Sequence, residues 1–432
     1  MLHSKRKRYL TGSDWVINTL DAQLKSLTDC GNQSQLVLEI DARLDAQDVR
    51  NTLNRFVRKF PVLRGNPARD VLLAPYWKIP SQHGGEVSFI HETATNDVLP
   101  ILEKNANTPF CGNREYLSFR LITAHERSYL CMAFDHHVFD ARGAEAFLNL
   151  FQEGYGGASV NGDIVFSSTR ALTHWAGKFR AGQKVNRRIV ALSKSEPEAL
   201  PLPAGSGSYR YRHIAFNERD TEAIYKRAYS EAGYLLESPF LLAVVIQAVH
   251  DVIKGRMRPT TSYLVPVTVD LRPNIDKTQE IFFNYVSYLF YQIPVREVGD
   301  RKGIISSLKQ QMYDQVKDGF PKDLAEASQL TRIAPPRILG KLLHLPMKGK
   351  MATFAFSHLG KSAYQHDAFM STKISNVFHM PRVPVPPGLG FFSNYFKNRL
   401  NIVISHLDGL LTDSEANLLE SGIRQRLEAS RQ

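Results

Sequence analysis

Cysteine is scarce in this chain. Its 432 residues hold three, Cys30, Cys111 and Cys131, odd in number and in no CxxC spacing, which argues against a disulfide framework and a zinc knuckle. A reducing cytosol fits this usage. Long apolar runs are also lacking. Phe240–Ile246 extends only to Val249 past a glutamine, short of the roughly 20 apolar residues a membrane span needs. The basic start, Met1–Arg8, is not followed by the apolar core of a signal peptide. The expectation is a soluble cytoplasmic protein without a transmembrane segment.

Acid is the third shortage. Lysine and arginine number 54 against 42 aspartates and glutamates, a formal charge of +12. Such an excess calls for an anionic partner: nucleic acid, a membrane surface, a CoA phosphate or an acidic carrier protein. The basic residues are scattered, with local knots at 5–8, 187–188 and 346–350, and no aromatic-interleaved module accompanies them. Nucleic acid is therefore not expected as a partner.

What is present is the composition of a globular protein, 43% hydrophobic and 22% charged, which confines disorder to the ends. The length exceeds what one core supports, so two units of roughly 200 residues are expected. Residues 195–208 carry three prolines and two glycines and read as a linker. The division that follows is 1–160, a crossover and linker over 161–208, and 209–432.

Along the chain, helix and strand signals alternate in an α/β pattern. Ser13-Asp14 can cap a first helix, and Gln35–Ile40 is strand-like. Val49, Leu53, Phe56, Val57 and Phe60 trace an amphipathic helix stopped by Pro61. Val71–Leu73 and Val87–Ile90 read as strands, and Tyr116–Thr123 with Tyr129–Phe134 as a hairpin. Beyond the linker come a strand over 209–216, helices over 218–232 and 239–254, and strands over 261–271 and 282–291. Two helices follow, then strands over 351–359 and 373–379, a rigid extended run over 380–390, a strand at 400–404 and a closing helix.

The second arm of the hairpin ends in Asp135-His136-His137-Val138-Phe139-Asp140-Ala141-Arg142-Gly143. A strand delivering histidine to a loop that turns into a helix sets an imidazole at the rim of a sheet. Three readings are open: a capping loop with Asp140 as the helix N-cap, a metal site that would need a third ligand, or a general base in a loop braced by the aspartate. A neutral imidazole, with a pKa near 6.5, suits proton removal from a hydroxyl, thiol or amine.

The strand, His-x-x-x-Asp and helix order, two α/β units, and the later Pro266–Arg272 strand together resemble the chloramphenicol acetyltransferase-like superfamily. That superfamily includes nonribosomal peptide condensation domains, BAHD acyltransferases, polyketide-associated acyltransferases and wax ester synthases. The resemblance spans nearly the whole chain, including Phe356–Gly360 and the closing strand and helix. It implies two lobes, each a mixed sheet flanked by helices, with an active-site tunnel between them. It also implies acyl transfer from a CoA or carrier-protein thioester to a small-molecule amine or hydroxyl, with no metal and no cofactor beyond the donor's CoA or phosphopantetheine arm.

On this resemblance His136 matches the motif base, and Asp140 and Arg272 match a structural ion pair. His137, Gly143, Asn284 and Ser357 are candidates for substrate or oxyanion contacts. Two departures stand out: an aspartate precedes His136, and alanine follows Asp140, with Gly143 two positions late. A free-standing enzyme of secondary-metabolite or lipid biosynthesis is the expectation; a catalytically silent module docking a carrier protein or synthetase is the alternative.

Overall fold

The computed structural model describes residues 7–28, 30–81, 85–95, 97–112, 114–162, 166, 174–205, 207–272, 281–344 and 348–428. A minor part of the expected 161–208 crossover (163–165, 167–173 and 206), parts of two basic knots and Pro273 lie outside the described residues. The strands are β1 (Lys7–Tyr9), β2 (Gln33–Ile40), β3 (Asn66–Arg69), β4 (Pro75–Lys78), β5 (Ser88–Ala94), β6 (Leu117–Ala124), β7 (Arg127–Asp135) and β8 (Tyr209–Ala215). After them come β9 (Ser262–Asp270), β10 (Val286–Pro294), β11 (Ala355–Lys361), β12 (Ala368–Phe369), β13 (Thr372–Pro381), β14 (Leu389–Phe396) and β15 (Arg399–Leu407).

The helices are α1 (Gly12–Leu27), α2 (Ala46–Val57), α3 (Leu99–Ala106), α4 (Ala141–Tyr155), α5 (Trp175–Ser193) and α6 (Glu218–Ala232). They continue with α7 (Glu237–Arg256), α8 (Arg301–Lys317), α9 (Phe320–Ser328), α10 (Pro336–His344) and α11 (Asp413–Glu428).

Two six-stranded mixed sheets form the frame, ordered β12-β13-β2-β7-β6-β5 and β10-β9-β11-β14-β15-β8. Each is flanked by helices, as the sequence reading expects. A small third sheet, β1-β4-β3, joins the N-terminal strand to a hairpin. The cut at 208 does not coincide with the sheets. Residues 368–381 leave the second half of the chain, and β13 pairs antiparallel with β2 in the first sheet before β14 returns to β11. A strand exchanged in this way fastens the two halves through main-chain hydrogen bonds as well as side-chain packing.

Several local expectations change. Val71–Leu73 is not a strand but the exposed tip between β3 and β4, with Leu73 at φ +63; the turn is closed by Asp70, which accepts from the N–H of Leu72 and Ala74 at 2.9 and 3.0 Å. The expected extended run 380–390 joins the end of β13 to the start of β14 through a turn at 385–387, and β14 has no counterpart in the sequence reading. The expected strand over 282–291 begins only at Val286, because 283–285 hydrogen-bond elsewhere.

Helix α7 has the length and apolarity of a membrane span, beyond what the uninterrupted run suggests, yet most of it is buried inside the protein. It packs on α6, α8 and α11, so its all-round apolarity is that of a core helix.

Candidate active site

His136 follows the last residue of β7, which lies centrally in the first sheet between β2 and β6. Its N–H donates to the Asn32 carbonyl at 3.0 Å. Four residues later the Asp140 carboxylate accepts from the Gly143 N–H at 2.8 Å and caps α4. The loop between is therefore pinned at both ends, by a strand register and by a helix cap.

A segment from the other half of the chain closes over this loop. Phe283 N–H donates to the Val138 carbonyl at 2.7 Å, Asn284 Nδ2 to the His136 carbonyl at 2.6 Å, and Tyr285 N–H to Asp140 Oδ2 at 3.1 Å. Arg272 Nη2 ion-pairs with Asp140 Oδ1, while its Nη1 reaches Asp270 Oδ1 at 3.0 Å. The Asp140 carboxylate thus caps one helix and receives two groups from the second lobe. Both side chains of the ion pair are largely buried, where loss of one partner strands the other's charge.

His136 is largely enclosed by protein and still partly accessible to solvent. Burial pushes its pKa below the usual 6.5, against the opposing pull of Asp135 and Asp140. The imidazole is then neutral at neutral pH, the form that accepts a proton. Among the described residues, neither His136 Nδ1 nor Asn284 Oδ1 has a hydrogen-bond partner of normal geometry.

No protein-family profile matches the chain, and no curated protein matches it in sequence. Solved structures do match. Trichothecene 15-O-acetyltransferase from Fusarium sporotrichioides superposes with a TM-score of 0.72 at 12% identity, covering 98% of this chain and 95% of that one. The first condensation domain of the CDA synthetase gives 0.71 at 15% identity over 98% and 96%. Polyketide synthase associated protein 5 from Mycobacterium tuberculosis gives 0.61 at 12% over 98% and 98%. This chain has the chloramphenicol acetyltransferase-like fold.

Within that fold the other candidates separate. His137 points away from His136 into a polar cluster. Its Nδ1 lies 2.5 Å from Asp135 Oδ1 and its Nε2 3.9 Å from Asp21 Oδ2. Burial alone lowers the His137 pKa, but Asp135 and Asp21 outweigh it and raise the value. His137 is thus the more basic, more committed member of the pair. Asp21, Asp135 and His137 bring ligand atoms within 4.8 Å of one another, a grouping that spacing alone does not reveal. Lys25 Nζ stands 2.8 Å from Asp21 and already offsets that negative charge.

The N–H of Gly143 is engaged by Asp140, so it is not directed at an oxyanion. A Cβ there would meet the Ile281 carbonyl at 2.2 Å, so the residue is required by the close approach of the second lobe. Ser357 Oγ lies 2.7 Å from Thr268 Oγ1 on the adjacent strand. The strand registers align Tyr288, Thr268, Ser357 and Phe392 across β10, β9, β11 and β14. Val267 and Phe356, one residue back on the central two strands, are buried in a core that both halves of the chain share, so Thr268 and Ser357 project from the opposite face of those strands; Phe392 is partly buried and packs against that core.

Tyr288, Thr268 and Phe392 are each partly accessible. Asp270, two residues beyond Thr268, reaches Arg272 and through it the His136 loop. The row therefore lines the side of the second sheet that leads to the motif. Thr268 and Phe392 were not singled out in the sequence; only the register of four strands sets them in one row with Ser357.

Neither of the two described cavities reaches His136. The larger, about 550 Å³, lies where α2 begins, beside β5 and β6, and is lined by residues that include Arg43, Arg50, Phe89 and His91.

Proposed function

We propose that the protein is an acyltransferase that moves an acyl group from a CoA or carrier-protein thioester to a small-molecule amine or hydroxyl. The observation that carries this reading is the neutral, partly accessible His136 at a strand end, in a loop clamped from the other half of the chain. His136 takes the proton of the acceptor as its nitrogen or oxygen attacks the thioester carbonyl. The tetrahedral intermediate collapses with loss of the thiolate, which recovers a proton from the imidazolium as thiol. The Thr268–Ser357 hydroxyl pair is the hydrogen-bonding group this reading assigns to the substrate carbonyl or pantetheine amide.

Asp140 and Arg272 act through the loop, not on substrate. Holding the imidazole against a bound acceptor supplies the positional part of the rate. The donor brings the pantetheine arm; no metal and no resident cofactor enter the proposal. The partly apolar row of Tyr288 and Phe392 suits an acyl chain as much as an amino acid, so ester and amide products both remain within it.

A second reading, a silent module that docks a carrier protein, is favoured by one observation: the Gly143 N–H is engaged by Asp140 and is not directed at an oxyanion. Intact-mass detection of transfer from a panel of acyl-CoA and acyl-carrier donors to amine and alcohol acceptors separates the two. Transfer lost in His136→Ala supports catalysis. Carrier binding that survives His136→Ala, with no transfer from any donor, supports docking and overturns the enzyme.

A further inference from the structure

We propose that the face formed by the β3–β4 turn, α10 and the start of α5 docks on an anionic lipid bilayer. Three consecutive aliphatic side chains, Val71, Leu72 and Leu73, are 91%, 73% and 55% exposed at the tip of that turn. The turn's backbone is satisfied by Asp70 and by the Leu73 N–H to Asp70 carbonyl bond. The tip is thus a defined, self-supporting projection with no role in the core, and clustered exposed apolar residues of this kind mark an interaction surface.

Arg69 ties this tip to the next element. Its Nη1 donates to the Leu73 carbonyl at 2.8 Å and the Ile333 carbonyl at 3.2 Å, and its Nη2 to the Ala334 carbonyl at 3.2 Å. Ala334 stands two residues before α10. That helix turns Leu339 inward and rests Gly340 against Gln23 of α1. Its outer face shows Ile338 and Leu342, both more than half exposed, interleaved with Arg337 and Lys341. These two cations have no ion-pair partner among the described residues.

Helix α5 flanks the same region. A Cβ on Gly182 would lie 3.9 Å from Leu330, in the 3-10 turn that leads to α10. The helix contains Lys178, Arg180, Lys184, Arg187 and Arg188 and no acidic residue. At its start Trp175 and Phe179 stack at 6.2 Å between ring centroids, both exposed. Lys178 and Lys184 are balanced by Glu326 and Asp323 of α9, leaving the arginines in excess.

Exposed aliphatic and aromatic side chains on projecting elements, flanked by unpaired cations, are the chemistry of interfacial insertion into a bilayer of negative charge. The match in sign extends to the chain's formal charge of +12. The apolar groups of these elements stand outward, as a lipid surface requires.

The test is co-sedimentation of the full chain with phosphatidylcholine vesicles, with and without phosphatidylglycerol, at low and high salt. The expected result is binding to the phosphatidylglycerol vesicles that weakens with salt. Leu72→Asp combined with Leu342→Asp should reduce it at least about tenfold, and Arg337→Glu with Lys341→Glu should abolish the preference for anionic lipid. All four positions are exposed, and unchanged circular dichroism melting certifies the variants as folded. Wild-type binding no stronger to anionic than to neutral vesicles, or variants that bind as wild type, would overturn the proposal. So would a concentration-dependent dimer in ultracentrifugation that Leu72→Asp abolishes while vesicles capture nothing.

Discussion

The side-chain Nδ2 of Asn284 donates to the backbone carbonyl of His136 at 2.6 Å. A residue just ahead of β10 thereby fixes the main chain that carries the proposed base. Its neighbours Phe283 and Tyr285 bond to Val138 and Asp140. Three consecutive residues of one lobe thus hold the loop 136–140 of the other.

Asn284→Ala is expected to lower kcat by about tenfold to a hundredfold while leaving KM nearly unchanged, because a loosened base loses alignment, not substrate contacts. Steady-state kinetics on the donor and acceptor found by the mass screen measures the split. A rise in KM with kcat intact would mark Asn284 as a binding group instead.

His136→Ala and His137→Ala should fail in different ways. The first is expected to cost about 10²–10⁴ in turnover with a wild-type melting temperature. The second leaves Asp135 and Asp21 less compensated in a buried cluster and should cost about 3 kcal/mol of stability, read by urea denaturation. Equal loss of stability in both would contradict their separate placement.

Asp140→Ala and Arg272→Ala are each expected to destabilise the fold by roughly 3–5 kcal/mol: the second leaves the buried Asp140 charge without its cation, and the first strips Arg272 to its contact with Asp270 and removes the cap of α4. Because the two side chains meet, the double variant should cost less than the sum of the singles. Additive losses in thermal or denaturant unfolding would show that the ion pair does not couple the lobes.

The two histidines predict opposite pH behaviour. His136, with its pKa lowered by burial, keeps its base form to lower pH, so the acid limb of the kcat/KM profile should fall below pH 6.5, the ordinary histidine value. His137, for which Asp135 outweighs burial, has a raised folded pKa. Its stabilising contribution is fully present below the unfolded value and is lost as pH rises through the folded one. A pH-rate profile and a stability profile measured together check both signs, and an acid limb above pH 6.5 contradicts the first.

Glu145 is a third ionic anchor. Burial alone would raise its pKa, but hydrogen bonds from His379, Ser362 and the Ala363 N–H, with Arg142 beside it, hold it at about 2. A depressed carboxylate stabilises above its unfolded value of about 4.5 and loses that contribution as pH falls toward 2. Glu145→Ala should therefore destabilise at neutral pH, by roughly 3–5 kcal/mol, and flatten the acid side of the stability profile. An unchanged acid limb in the variant would assign that limb to other groups.

Much of the frame is legible in the sequence alone. The strand ending at Asp135 and the helix after Asp140 follow from an apolar run, a capping aspartate and helix-forming residues, all local signals. Val71–Leu73 misled, because three aliphatic residues read as strand whether they are buried or offered to a surface. Helix α7 looked too short to span a bilayer and proved long enough; burial, which periodicity cannot report, decides its role. Thr268 and Phe392 escaped because a row across a sheet face is defined by register between strands far apart in sequence.

The sequence by itself determined the alternation of elements, the His136–Asp140 spacing and the cap that starts α4, since each rests on contacts within a turn or two of the chain. Only the tertiary structure decided which histidine is free and which is committed, that Gly143 serves a close approach and Asp140 a clamp, and that 368–381 crosses into the first sheet. Apart from the local His137–Asp135 bond, those outcomes depend on contacts between residues more than a hundred positions apart. Their energies come from burial and hydrogen-bond pairing that exist only once both lobes are folded.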